Sequence, residues 1–193
     1  MRLRTFHLLA LAGVSLLVAA ACSAPAPAPA AKKEPPFRKT ATIKDIMDSM
    51  VDPSADFLWE SVATIVTRKG TEERRPRTDD EWKAVRRAAI TLVEATNLLI
   101  MDGRAVAKPG EKSENPGIEL EPEQMEVLVN QDKATFYQSA NKLHDAAMVM
   151  LKAIDSKDAE ALLDSGDGLD QACENCHLKY WYPNEAKAQG EQK

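Results

Sequence analysis

The sequence predicts an all-α protein, an antiparallel four-helix bundle, and three observations point there. Apolar residues from Thr42 onward recur at the spacing of helical turns. Aromatic residues make up only 5% of the chain, while Ala, Leu, Glu and Lys are frequent, a balance that favours helices over strands. No strand–helix–strand unit and no internal repeat is visible. Hydrophobic residues are 44% of 193, enough for one buried core, and four amphipathic helices without strands close on one another as a bundle.

The first helix opens with TIKDIMDSM, where Ile43, Ile46, Met47 and Met50 share one face. Asp52-Pro53 is expected to interrupt it, because proline disfavours helix in the residue before it. The pattern then resumes through Phe57, Leu58, Val62, Ile65 and Val66, and Gly70 ends it. A second helix starts at the capping-box pair Thr78 and Glu81 and carries Trp82, Val85, Ala89, Leu92, Val93, Thr96 and Leu99 to about Met101. DGRAVAKPGEKSENPGIELEP, rich in glycine and proline, reads as a long, mobile loop. The third helix begins near Pro122 and runs through Met125, Leu128, Val129, Phe136, Leu143 and Leu151 to Ile154. The fourth, capped by Asp155 or Ser156, runs through Leu162 and Leu169 to Tyr180, with an irregularity expected at Gly166 and Gly168 and a stop at Pro183.

Ahead of these helices, Arg2 and Arg4 precede an apolar run from Leu8 to Ala21. The run is short for a bilayer span and has the layout of an export signal over residues 1–21. Ala19-Ala20-Ala21-Cys22 resembles a bacterial lipobox, in which Cys22 would receive a lipid and become the new N-terminus; ordinary signal-peptidase cleavage is the alternative. Residues 22–40, alternating Ala and Pro before a charged stretch, read as an extended tether. The bundle is assigned to 41–183 and the charged tail to 184–193. The expected location is the periplasmic side of a bacterial envelope membrane, lipid-anchored, or the soluble periplasm if Cys22 is unmodified.

Loss of residues 1–21 removes two arginines and no acids, taking the formal charge from −5 to −7. An acidic domain does not suit nucleic acid and favours a protein partner with a basic docking patch. The basic cluster Arg68, Lys69, Arg74, Arg75 and Arg77 is broken up by Glu72 and Glu73 and reads as a solvated loop. No Ser-His-Asp set, phosphate-cradling glycine loop or paired-carboxylate motif is present, so no catalytic residue is assigned and the chain does not read as an enzyme.

The chemistry concentrates in QACENCHLKYW, Gln171 to Trp181. On a helix Cys173 and Cys176 share a face and His177 lies beside them. C-x-x-C-H is the mark of c-type haem attachment: two thiols add across two vinyl groups as thioethers, and the imidazole reaches the iron from the same side. Structural zinc wants four ligands, which only His144 and scattered carboxylates could complete. A thioredoxin-like redox motif wants a strand–helix–strand setting. With Cys22 assigned to lipid, one cysteine pair remains and no disulfide framework.

A four-helix bundle with this motif near the end of its last helix resembles the cytochrome c′ superfamily, over roughly Thr42 to Trp181. Cys173-Glu174-Asn175-Cys176-His177 with Tyr180 matches the family's CxxCHxxY ending, while Trp181 stands where many members carry arginine. MDSMVDPSADFLW is similar to low-spin exported relatives whose first helix supplies a methionine to iron. The resemblance implies one covalent haem c on Cys173 and Cys176, His177 as proximal ligand of the iron and Met47 as distal ligand. Met50 is the second choice; His144 or an open sixth site are the others, and methionine at helical spacing also serves as core filler. A thioether-ligated iron suits electron transfer, whereas an open site suits binding or sensing of a small gas. A haem-free lipoprotein scaffold is the reading from outside that class, and association as a homodimer stays open. Tyr180, Trp181 and Tyr182 are expected to serve as packing anchors at the helix end, closure of one haem edge against water being the alternative, and Trp59 and Trp82 to lie in the core.

Overall fold

The computed structural model of the chain describes residues 37–185. The export segment 1–21, Cys22, the tether as far as residue 36, and the tail from 186 lie outside the described residues.

The described chain is mostly helical, with one two-stranded sheet. Thr42 caps α1 (Ile43–Ile46): its Oγ1 accepts the Asp45 N–H, and the Asp45 carboxylate accepts the Thr42 N–H. The expected interruption at Asp52-Pro53 does not occur. The helix passes instead through a π turn, Met47–Val51, into α2 (Asp52–Ser61), with the Asp52 N–H donating to the Met47 carbonyl. Proline brings no N–H and crowds the carbonyl four residues back. A wider turn placed just before Pro53 lets the helix absorb it without breaking.

The continuation of that helix through Ile65 and Val66, and the absence of strands, are both overturned. Val62 adopts an extended backbone, and Ala63–Thr67 (β1) pairs antiparallel with Gly70–Arg74 (β2), Ala63 opposite Arg74 and Thr67 opposite Gly70. From Val62 to Thr67 every residue but Ala63 is β-branched, which suits a strand better than a helix. Gly70, at φ 131°, closes the two-residue turn in a conformation that other residues rarely adopt. Val66 is 77% exposed, so the apolar stripe read there has no core to face.

In α3 (Asp79–Leu99) the Thr78–Glu81 capping box forms and the seven expected core residues are buried. The loop that follows is stitched to α1 rather than left free. Ile43 and Lys44 donate their N–H groups to the carbonyls of Ala105 and Val106, each at 2.9 Å, and Val106 is buried. The Arg104 guanidinium donates to the carbonyls of Leu98 and Ala41, closing the same corner.

The third predicted helix is two. Asp132, at φ −137° and ψ 64°, ends α4 (Pro122–Gln131) and caps α5 (Lys133–Asp155) by accepting the Thr135 N–H at 3.1 Å. A short acidic side chain that can bond a nearby N–H competes with helix continuation. Asp158, not Asp155 or Ser156, caps α6 (Ala159–Asp164), because Lys157 at φ 52° turns the chain first. The expected irregularity lies at Ser165, after which α7 (Gly166–Tyr180) begins. Trp59 Nε1 donates to the Gly166 carbonyl at 3.3 Å, and a Cβ at Gly166 would meet Trp59 Cδ1 at 3.3 Å, so a glycine permits this approach.

The core lies where α3 packs on α5 and on α2, while α7 packs mainly on α5. Ile46, Leu58, Leu92, Met150, Leu162 and Leu169 are its largest fully buried apolar side chains. Among the described residues no helix is long and apolar enough to cross a membrane.

Candidate functional site

Helix α7 is anchored at both ends of its apolar face. Leu169 is buried near its start and Tyr180 at its finish. Between them Cys173 and Cys176 are half-buried against the core, one turn apart, and neither is in a disulfide. Burial pushes the Cys173 thiol up to about 11, with Asp170, Cys176 and Asp52 acting in the same direction. Burial likewise raises Cys176 to about 11, against smaller opposing effects of Ser139 and Lys179. Both groups are therefore neutral thiols near pH 7, not activated thiolates. Burial also lowers the pKa of His177, outweighing the carboxylates of Glu174 and Asp52. A neutral imidazole keeps one nitrogen lone pair free to bind a metal.

The end of α7 folds back on that imidazole. The N–H groups of Trp181 and Tyr182 both donate to the His177 carbonyl, at 2.8 and 3.0 Å. The Trp181 ring stands at 89° to the imidazole with centroids 4.9 Å apart; the Tyr182 ring lies 5.9 Å away at 61°. Tyr182 Oη donates to Glu174 Oε2 at 2.6 Å. Burial and that carboxylate hold the Tyr182 phenol well above its usual pKa. Tyr180 packs edge-on against Phe136, centroids 5.4 Å apart. Its hydroxyl is buried with no hydrogen-bond partner among the described residues.

Of the other residues singled out by sequence, Met47 opens the π turn and Met50 lies within it. Both are half-buried against the same core as Cys173 and Cys176. Asp52, one turn further on, is close enough to act on both Cys173 and His177. The first helix and the CENCH segment thus share one neighbourhood. His144, on α5, is about one-third exposed (32%), its Nδ1 3.6 Å from Asp145 Oδ1. Cys22 lies outside the described residues.

Sequence reasoning passed over Glu174 and Asp52 as members of this site, and the bond that ties Tyr182 to Glu174. Tyr182 follows Glu174 by eight residues across a helix end, a separation that matches no helical spacing. The signal available was the aromatic run Tyr180-Trp181-Tyr182 directly after the histidine, which is enough to suggest packing but not a partner.

Among the described residues no group of three or more His, Cys, Asp and Glu side chains is placed to hold a metal ion. The one sheet is an antiparallel hairpin remote in type from the setting of a thioredoxin-like motif. Comparison of the chain with protein-family models, with curated proteins and with solved structures found no match.

Proposed function

We propose that the chain is an exported c-type cytochrome of the cytochrome c′ kind, an antiparallel four-helix bundle carrying electrons on one covalent haem. Its four members would be α1–α2, α3, α4–α5 and α6–α7. The observation that carries the reading is the donor set on α7: two unpaired, neutral thiols and a neutral imidazole within five residues of one half-buried helix face. These are the groups the attachment needs. Each thiol would add S–H across one vinyl group, giving a thioether without change of redox state, and His177 would bind the iron as proximal ligand. The haem supplies its own four equatorial nitrogens, so a cluster of protein ligands is not required; when bound it supplies a reversible one-electron change at iron.

Met47 is the proposed distal ligand and Met50 the second choice. Support comes from the π turn that begins at Met47, since such turns in helices often mark functional positions. A thioether there would complete a low-spin iron suited to electron transfer rather than catalysis.

Charge supports a basic redox partner. Asp48, Asp52, Asp56 and Glu60 recur every fourth residue along α1–α2 and are exposed. Glu160, Asp164, Asp167, Asp170 and Glu174 follow a similar course down α6 and α7. No lysine or arginine lies between Asp45 and Val66, or between Asp158 and Leu178. A lipid on Cys22 would hold the protein at the periplasmic face of a membrane.

The test is the visible spectrum of protein matured in a host competent in c-type attachment: oxidised, reduced, and reduced with carbon monoxide. A haem spectrum that survives denaturation and a low-spin form that resists carbon monoxide are expected. Met47→Ala should turn the spectrum high-spin; a low-spin spectrum there removes Met47 as ligand. Ready binding of carbon monoxide would favour a gas-binding protein, and colourless material a haem-free scaffold. Cys22→Ser should release the protein from membranes, and persistence there would remove the lipid anchor.

A further inference from the structure

We propose that Trp181 and Tyr182 form a collar that sets the orientation of the His177 imidazole, and that Glu174 and the 113–121 loop hold this collar in place. The inference rests on the reading of His177 as the proximal ligand and adds to it the residues that position that ligand.

The Trp181 N–H makes the ordinary i→i−4 bond to the His177 carbonyl, the Tyr182 N–H adds a second bond to the same oxygen, and two aromatic rings close on the imidazole. The two rings also meet each other, with centroids 5.3 Å apart. They approach the imidazole at different angles, so rotation of the ring about its own axis meets one or the other.

Each of the two residues is tied independently, Tyr182 through its side chain and Trp181 through its main chain. The Tyr182 hydroxyl donates to Glu174 Oε2 at 2.6 Å, and Glu174 lies one turn before His177 on the same helix. The Trp181 carbonyl accepts the Leu120 N–H at 2.8 Å, which docks the loop onto the end of α7. That loop is rigidly closed around one carboxylate. Glu119 Oε2 accepts from Ser113 Oγ at 3.0 Å and from the N–H groups of Glu114 and Asn115 at 3.1 Å; Oε1 accepts from Asn115 Nδ2 at 2.8 Å. The loop thus grips the main chain of the residue whose ring faces His177.

Groups around a ligating histidine set its ring orientation and basicity, and through them the properties of the metal. Trp181 and Tyr182 are on this account positioning residues, with Glu174 and the 113–121 loop as their anchors. Neither aromatic ring is assigned any contact with iron.

The experiment compares the haem-loaded chain with Tyr182→Phe, Glu174→Ala, their double variant, Trp181→Ala and Trp181→Phe. Read-outs are the electron paramagnetic resonance spectrum of the oxidised form, the reduction potential and the thermal midpoint. Tyr182→Phe and Glu174→Ala should each shift the resonance spectrum and the potential. Their combination should shift both no further than Glu174→Ala alone, because the bond is already lost there. Trp181→Ala should shift them more, and Trp181→Phe should restore much of that change. Covalent haem retained in every variant, with spectrum and potential as in the unaltered chain, would overturn the collar whatever the thermal midpoint does. Failure of the unaltered chain to acquire haem would instead overturn the assignment of His177, and the collar with it.

Discussion

Helix α5 has two neighbours of opposite character. It packs most extensively on α3, and the two helices bring Leu143, Ala147, Met150, Leu151 and Ile154 from α5 and Val85, Ala89, Leu92, Val93 and Leu99 from α3 into the shared buried core. Toward α7 it meets a helix whose inner face holds two thiols and ends in a phenol with an unpartnered hydroxyl. Apolar burial drives the first contact at roughly 25 cal/mol for each Å² removed from water. The second gains less, because burying a polar group without a partner is unfavourable. Gly166 and Gly168 in its first turn weaken α7 further as a helix. The difference teaches which half of the protein holds the fold and which half offers chemistry.

Breaking the α3–α5 contact should have the largest effect. Leu92→Ala removes a fully buried side chain and should cost about 2–5 kcal/mol in urea unfolding of the haem-free chain. A loss under about 1 kcal/mol would show that this contact does not dominate. Thr78→Ala removes only the cap of α3 and should cost about 1 kcal/mol by the same measurement.

On the α7 side the sign should change. Tyr180→Phe deletes a buried hydroxyl with no partner, so the haem-free chain should stay within about 1 kcal/mol of its original stability or gain. A larger loss would mean that the hydroxyl is satisfied and the contrast with α3 overstated.

The smallest effect is local and depends on pH. Hydrogen bonds from Asn115, Ser113 and the neighbouring N–H groups lower the Glu119 pKa to about 2. A carboxyl depressed in the folded state stabilises above its unfolded value and loses that contribution as pH falls through the folded one. Amide protection at Leu120 and Asn115, corrected for intrinsic exchange rates, should therefore decline between about pH 4.5 and 2. Glu119→Gln should flatten that dependence; an unchanged decline would assign it to another group.

Legibility followed the range of the forces involved. Helix α3 was readable from its cap to its last buried residue, because Thr78, Glu81 and the stripe from Trp82 to Leu99 all act within four residues of one another. The hairpin was misread because Val62, Ile65 and Val66 satisfy helical spacing, although the β-branched run from Val62 to Thr67 favours a strand and the exposed Val66 has no core to face. The break at Asp132 depended on one side-chain bond to Thr135 that apolar periodicity does not register. The π turn replaced a predicted break for a related reason: proline disfavours the regular helix before it, not every helical geometry.

By itself the sequence determined the helical character, the cap at Thr78, and the common face of Cys173 and Cys176 with His177 beside them, since each depends on neighbours along the chain. The tertiary structure alone decided that Asp52 and the π turn share a neighbourhood with that face. It alone also decided that Glu174 holds the Tyr182 ring and the Leu120 N–H the Trp181 main chain beside His177. Those arrangements join residues separated by a helix end or by most of the chain, and only packing of the whole brings them within reach.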